Sequence, residues 1–142
     1  MKYSKEFLAL VAAYKTFHEI PRYLRVVTLA QWILESGRGG SNLAKDHFNF
    51  GGLKWRKEMQ SWAQSVPYKA HDGLEDYCQF NTVQEFIVGY WQFIKRSPYN
   101  GWGKVAGDGN AFMNFIGPIY CPTPGYVKKV EALYAEADEL LK

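Results

Sequence analysis

Residues 29–46 read LAQWILESGRGGSNLAKD. An apolar stretch with helical spacing stops on Glu35 and runs into Ser36, Gly37, Arg38, Gly39, Gly40 and Ser41. No other junction constrains the fold as much. A helix this apolar is built for a core, and the glycines let the chain turn sharply as it leaves. The acid is out of place at that end. Helix C-termini carry partial negative charge and favour cations, so a carboxylate there costs a few tenths to about 1 kcal/mol. Burial and the helix terminus both disfavour the ionised form, which raises the pKa and makes a usable general acid near neutral pH. The bland alternative is a solvated glutamate on a helix end.

The rest of the chain reads as mostly helical. Residues 3–18 carry Phe7, Leu8, Val11 and Tyr14 at three-to-four spacing. Pro21 is placed to start a second helix whose buried face is Val26, Ala30, Ile33 and Leu34. Gly37 offers that helix a left-handed stop, and Ser41 can cap a short helix reaching about His47. Residues 49–65 are turn-rich and then ambiguous. In VPYKAHDGLEDYCQF, residues 66–80, strand-type residues flank Asp72-Gly73, a hairpin signal. Thr82 and Glu85 form a capping box ahead of Phe86, Ile87, Tyr90, Trp91 and Ile94, and Pro98 helps end that helix. SPYNGWGKVAGDGN reads as a loop, residues 111–117 as a short helix and CPTPG as a break. Val127, Val130, Leu133, Tyr134, Ala137 and Leu141 make one last amphipathic helix. The expectation is an α+β, mainly α, single domain over residues 1–142: five or six helices and a small β-hairpin lobe, with a cleft between the lobes suited to an extended polymer.

Composition narrows the function. With 47% apolar and 22% charged residues the chain can build a core and is not expected to be disordered. Its 5 Trp, 10 Tyr and 9 Phe either fill that core or line a groove that stacks on sugars or bases. A net charge of +3 suits an anionic polymer, but the basic residues are dispersed and form no nucleic-acid-binding motif. No apolar window is long enough for a membrane span. The N-terminus, MKYSKEFLALVAAYKTF, lacks a small-residue cleavage site and reads as an amphipathic helix, not a signal peptide. Cys78 and Cys121 cannot build a four-ligand zinc site alone and the three histidines are scattered, so neither metal nor cofactor is expected. The cysteines are either two buried thiols or one disulfide formed outside the cytoplasm.

LAQWILESGRGGSNLAKDHFNFGGLKW resembles the signature of the glucosaminidase family of bacterial cell-wall hydrolases, which includes autolysins and the muramidase domain of the flagellar rod protein. The matching positions are Ala30, Gln31, Leu34, Glu35, Ser36, Gly37, Gly39, Ser41, Leu43, Ala44, Asn49, Gly52 and Lys54. GYVKKVEAL resembles a later segment of the family and puts Tyr126 at its tyrosine. Arg38 stands where the family usually has Trp, and Gly51 where it usually has Phe. The resemblance implies a lysozyme-like fold and an endo-β-N-acetylglucosaminidase that cuts peptidoglycan, with Glu35 as general acid and Tyr126 beside the reacting sugar.

A second carboxylate is harder to assign. Family members often carry it on the first hairpin strand, where this chain has Lys69. Asp72, Glu75 and Asp76 follow, and Glu75 or Asp76 is preferred because a turn aspartate holds its own backbone. Without such a group, the alternatives are water activated from a distance, attack by the substrate's acetamido oxygen, or internal attack by the 6-hydroxyl of a muramic unit. Asn49 and Lys54 are expected to hold the turn or contact acetamido groups. Trp55, Tyr68, Trp91 and Trp102 are stacking candidates, with Trp91 placed on a core face. The expected partner is the peptidoglycan glycan strand, met by a monomer at the cell envelope or outside the cell, as a phage lysin, an effector or an excised domain. A lytic transglycosylase or muramidase of the lysozyme-like superfamily, and a non-catalytic wall-binding module, remain open alternatives.

Overall fold

A central helix organises the chain. The computed structural model describes residues 2–70 and 73–142. Helix α1 (Lys5–Lys15) leads into α2 (Arg22–Ser36), which is buried on nearly every side: Leu24, Val27, Leu29, Ala30, Trp32 and Ile33 are all in the core. Around it pack α4 (Val83–Ile94), α5 (Gly109–Tyr120), α6 (Tyr126–Glu131) and α7 (Tyr134–Leu140). Short α3 (Asn42–His47) and a hairpin of β1 (Gln64–Ala70) and β2 (Gly73–Gln79) make the smaller lobe.

Local chemistry explains most boundaries. Ser4, Ser41, Thr82 and Asp108 each cap a helix, accepting from the backbone N–H of Phe7, Ala44, Glu85 and Asn110 at 3.0–3.1 Å. Pro21 sits immediately before α2, and Gly37 ends it with φ of 57°, donating to the Ile33 and Leu34 carbonyls. Arg25 is buried, yet its guanidinium donates to the carbonyls of Tyr14, Lys15 and Ile20, so it closes the end of α1. Trp32 is the hub of the core, with Tyr14 at 4.6 Å and Phe86 and Tyr90 packed edge-on at 4.9 and 5.0 Å between ring centroids.

Five expectations need correction. In α1, Leu8 is 42% exposed and Leu10 takes its place in the core. Val26 and Leu34 are only half-buried, because α2 turns other faces to its many neighbours. The helix expected at 111–117 extends over Gly109–Tyr120 and carries Pro118 within its last turn, so the proline does not stop it. The single C-terminal helix is two, broken at Ala132 and Leu133, which brings the count to seven α-helices among the described residues. Residues 97–110 are not featureless loop: Ser97–Tyr99 and Trp102–Lys104 form single 3₁₀ turns.

The turn after α2 is pinned from behind. Ser36 Oγ donates to the Trp32 carbonyl and accepts from Gly39 N. Arg38, at φ of 57°, makes two bonds to Glu136 of α7, at 2.8 and 2.7 Å. Tyr3 donates to the same carboxylate at 2.7 Å. Arg38 thus ties the turn to the N-terminal segment and to the last helix.

Candidate active site

Glu35 lies on the last turn of α2, where the helical and hairpin lobes meet. A cavity of about 530 Å³ opens there, lined by Glu35, Ser41, Leu43, Gly52, Lys54, Tyr68, Ala70, Tyr77, Tyr120 and the Cys121–Thr123 segment. Among the described residues Glu35 is the only carboxylate on its wall. Burial raises the Glu35 pKa above the usual carboxylate range, opposed only in part by a hydrogen bond from Tyr126.

A chain of hydrogen bonds orients that acid. Tyr90 Oη donates to Gln31 Oε1 at 2.5 Å, Gln31 Nε2 donates to Tyr126 Oη at 3.0 Å, and Tyr126 Oη donates to Glu35 Oε2 at 2.7 Å. Gln31 and Glu35 are four residues apart, hence on one face of α2. Burial and the neighbouring Glu35 both push the Tyr126 phenol far above its ordinary pKa, so it stays a donor. Because Oε2 is occupied, an acidic proton is steered to Oε1, which has no hydrogen-bond partner among the described residues. Oε1 looks toward Gly52, at φ of 63°; any side chain there would put its Cβ 3.3 Å from that oxygen. Tyr120 stacks on Tyr126, with centroids 6.4 Å apart, and donates to the Gly51 carbonyl, joining the helical wall to the turn.

The other expected site residues are divided. Lys54 and Tyr68 line the cleft, Tyr68 meeting Tyr77 edge-on at 5.6 Å. Asn49, expected to hold the turn or contact acetamido groups, is 1% exposed and fully used: it donates to the Leu53 and Cys78 carbonyls and accepts from Gly51 and Leu53 N–H. It holds the turn that carries Gly52 and Lys54. Trp55 packs against the core and does not line the cleft, and its N–H is enclosed. Trp91 is in the core, with Trp102 and Phe112 against it.

Strand register separates the candidate second acids. Tyr68 pairs with Glu75 and Val66 with Tyr77, so these four share the cleft face. Asp76 pairs with Pro67 on the opposite face and points away from the cleft, as does Lys69. Glu75 is on the right face but pairs with Lys54, Nζ to Oε2 at 2.5 Å. Asp72 lies outside the described residues. Cys78 and Cys121 are unbridged; Cys78 is buried, and burial pushes its thiol up to about 12. Among the described residues no cluster of His, Cys, Asp or Glu is placed to hold a metal ion, and no helix is long and apolar enough to cross a membrane.

Gln31, Tyr77, Tyr90 and Tyr120 were not singled out from sequence. Gln31 had a signal, its place four residues before the acid in the matched run. The tyrosines had none, since a buried tyrosine in an aromatic-rich chain reads as core.

Residues 11–139 match the family model for glucosaminidase, described as mannosyl-glycoprotein endo-beta-N-acetylglucosaminidase. No curated protein matches the chain. Two solved structures share its fold. The first is an N-acetylmuramoyl-L-alanine amidase from Staphylococcus aureus, with TM-score 0.69 and 22% identity over 99% of this chain and 45% of that one. The second is the catalytic domain of the autolysin Auto from Listeria monocytogenes, with TM-score 0.61 and 16% identity over 99% of this chain and 89% of that one. The chain therefore spans less than half the length of the Staphylococcus protein.

Proposed function

The chain belongs to the glucosaminidase family of glycoside hydrolases, and from that premise we propose that it cuts the peptidoglycan glycan strand at N-acetylglucosaminyl bonds, with Glu35 as general acid. The observation that carries this reading is the Glu35 carboxyl itself: raised in pKa by burial, bonded by Tyr126 at one oxygen and free at the other toward a polymer-sized cleft.

The reaction runs as follows. Glu35 Oε1 gives its proton to the oxygen bridging two sugars as the C1–O bond breaks. The carbonyl oxygen of the 2-acetamido group on the same sugar bonds to C1, giving an oxazolinium ion. Water then attacks C1, the acetamido oxygen leaves, and the water proton returns to Glu35. Substrate participation is favoured because Glu75, the one candidate acid on the cleft face among the described residues, is committed to Lys54 at 2.5 Å. Glu75 serves as the second carboxylate only if substrate displaces that lysine. Tyr126 holds Glu35 in place and its phenol oxygen lies beside the developing charge. Tyr68 and Tyr77 offer ring faces to the sugars.

Mass spectrometry of fragments released from purified peptidoglycan tests the assignment. A reducing N-acetylglucosamine end supports it. A reducing muramic end makes the protein a muramidase, and a 1,6-anhydro end a lytic transglycosylase. Loss of Glu75 as a hydrolytic partner is tested by Glu75→Gln: retained turnover supports the substrate-assisted route, and loss like that of Glu35→Gln restores a two-carboxylate one. A protein that binds wall without releasing fragments is a binding module, and the hydrolase reading fails.

A further inference from the structure

A second cavity, about 320 Å³, adjoins the cleft and shares Gly52, Lys54 and Tyr120 with it. Its other charged walls are Arg56 and Arg96, over a floor of Phe93, Pro98, Tyr99 and Ile119. Lys54 is paired with Glu75, but neither arginine makes a salt bridge to a carboxylate among the described residues; Glu58 acts on Arg96 only at longer range. Arg96 sits over Phe93, its guanidinium carbon 3.8 Å from the ring centroid, and its enclosed Nε–H has no acceptor among the described residues. A guanidinium held over a ring keeps donors for a planar or tetrahedral oxyanion. Arg56 is exposed and bonds only the Trp55 carbonyl, through one nitrogen. Holding two arginines within electrostatic reach of each other, beside a third cation, is unfavourable unless an anion joins them.

Where a peptide stem is attached, the muramic lactyl carboxyl is an amide, so the sugars of the strand carry no charge. The negative groups of a wall strand are its substituents: carboxylates of the peptide stem and phosphodiesters of attached wall polymer. We propose that the Arg56–Arg96 cavity binds an oxyanion carried by the substrate strand, a stem carboxylate, while the sugars occupy the adjoining cleft. The proposal rests on the peptidoglycan reading above, and it makes the enzyme selective for decorated strands.

The test reads binding, so that it is separable from the chemistry. In a Glu35→Gln background, Arg56→Gln/Arg96→Gln is titrated with soluble glycan chains bearing peptide stems, with the same chains after carbodiimide coupling of their stem carboxylates to glycinamide, and with chains bearing wall-polymer phosphate. The expected result is that the ratio of affinities, free stem carboxylate over amidated, falls about tenfold, the range for losing charge-assisted hydrogen bonds. Arg56→Gln alone, at an exposed position that does not endanger the fold, gives a smaller fall in the same ratio. A fall confined to the phosphate-bearing chains keeps the oxyanion site and assigns it to phosphate. An unchanged ratio for all chains, or an equal loss on amidated and free-acid chains, overturns the proposal. Cleavage of the same chains by the wild-type protein decides separately whether the glycosidase reading holds.

Discussion

Two carboxylates flank the turn at the end of α2, and their environments are opposite. Glu35 faces the cleft, takes a hydrogen bond from a phenol and has no salt bridge among the described residues; burial raises its pKa. Glu136 of α7 meets the turn's other side, where Nε and Nη2 of Arg38, the Tyr3 hydroxyl and, at 3.8 Å, Lys2 converge on it. Those partners, the Arg38 bond foremost, hold its carboxyl down at about 2 although its side chain is only 18% exposed. Burial alone would push both acids up. The difference is the counter-charge. A carboxylate given an arginine becomes a fastening; one denied a cation holds its proton to a higher pH than usual.

Exchanging each acid for its amide gives the largest separation. Glu35→Gln is expected to lower cell-wall cleavage by about 10²–10⁴-fold, with a native circular dichroism spectrum and a melting temperature at pH 7 no lower than wild type. A folded, fully active variant would end the distinction. Glu136→Gln should do the reverse, losing about 2 kcal/mol in urea unfolding, the range for hydrogen bonds to a charged group, while its kcat/KM stays within about threefold of wild type.

A smaller effect is expected at the phenol. Tyr126→Phe removes one hydrogen bond to Glu35 and strands Gln31 Nε2, so activity should fall about tenfold. That bond lowers the Glu35 pKa, so the alkaline limb of the rate profile should move to higher pH. A limb that stays put would place the controlling group elsewhere.

The two acids also predict opposite linkage. Glu136 has a depressed folded pKa, so its contribution is present above the ordinary carboxylate range and is lost as pH falls toward about 2. Glu35 has a raised folded pKa, so wild type loses stability as pH rises from the ordinary range through that value. The Glu35→Gln variant should therefore gain on wild type with rising pH, from no difference in acid to a plateau. Melting temperatures across pH for wild type and both variants check this. The smallest predicted effect concerns the thiols: an aromatic disulfide reagent should label Cys121 in the native protein and reach Cys78 only after denaturation. Equal native labelling would mean that the hairpin base opens in solution.

Much of this was legible beforehand because it is local. Caps at Ser41 and Thr82, the stop at Gly37 and the alternation along the two strands each depend on a few adjacent residues. Glu35 stood out because an acid at an apolar helix end is locally wrong. Asn49 has two readings in the sequence: its spacing in the motif is the same whether it holds a turn or meets a sugar, and only its four bonds to the backbone distinguish them. Asp76 and Glu75 differ by one position, which a strand turns into opposite faces. Nothing in the sequence says which face a two-sided hairpin offers its cleft.

The sequence by itself determined a mainly helical chain with one hairpin, a central apolar helix, and an acid at that helix's end, because each follows from periodicity and from the chemistry of neighbours. Only the tertiary structure decided what that acid touches. The break at Ala132 and Leu133 has neither glycine nor proline to announce it. It divides the last helical stretch into α6, which carries Tyr126 to Glu35, and α7, which carries Glu136 to Arg38. Those partners are about a hundred residues apart in the chain, and no local preference encodes their meeting. Burial and counter-charge, which set the two acids apart, are properties of the packed neighbours and so exist only once the core has closed around α2.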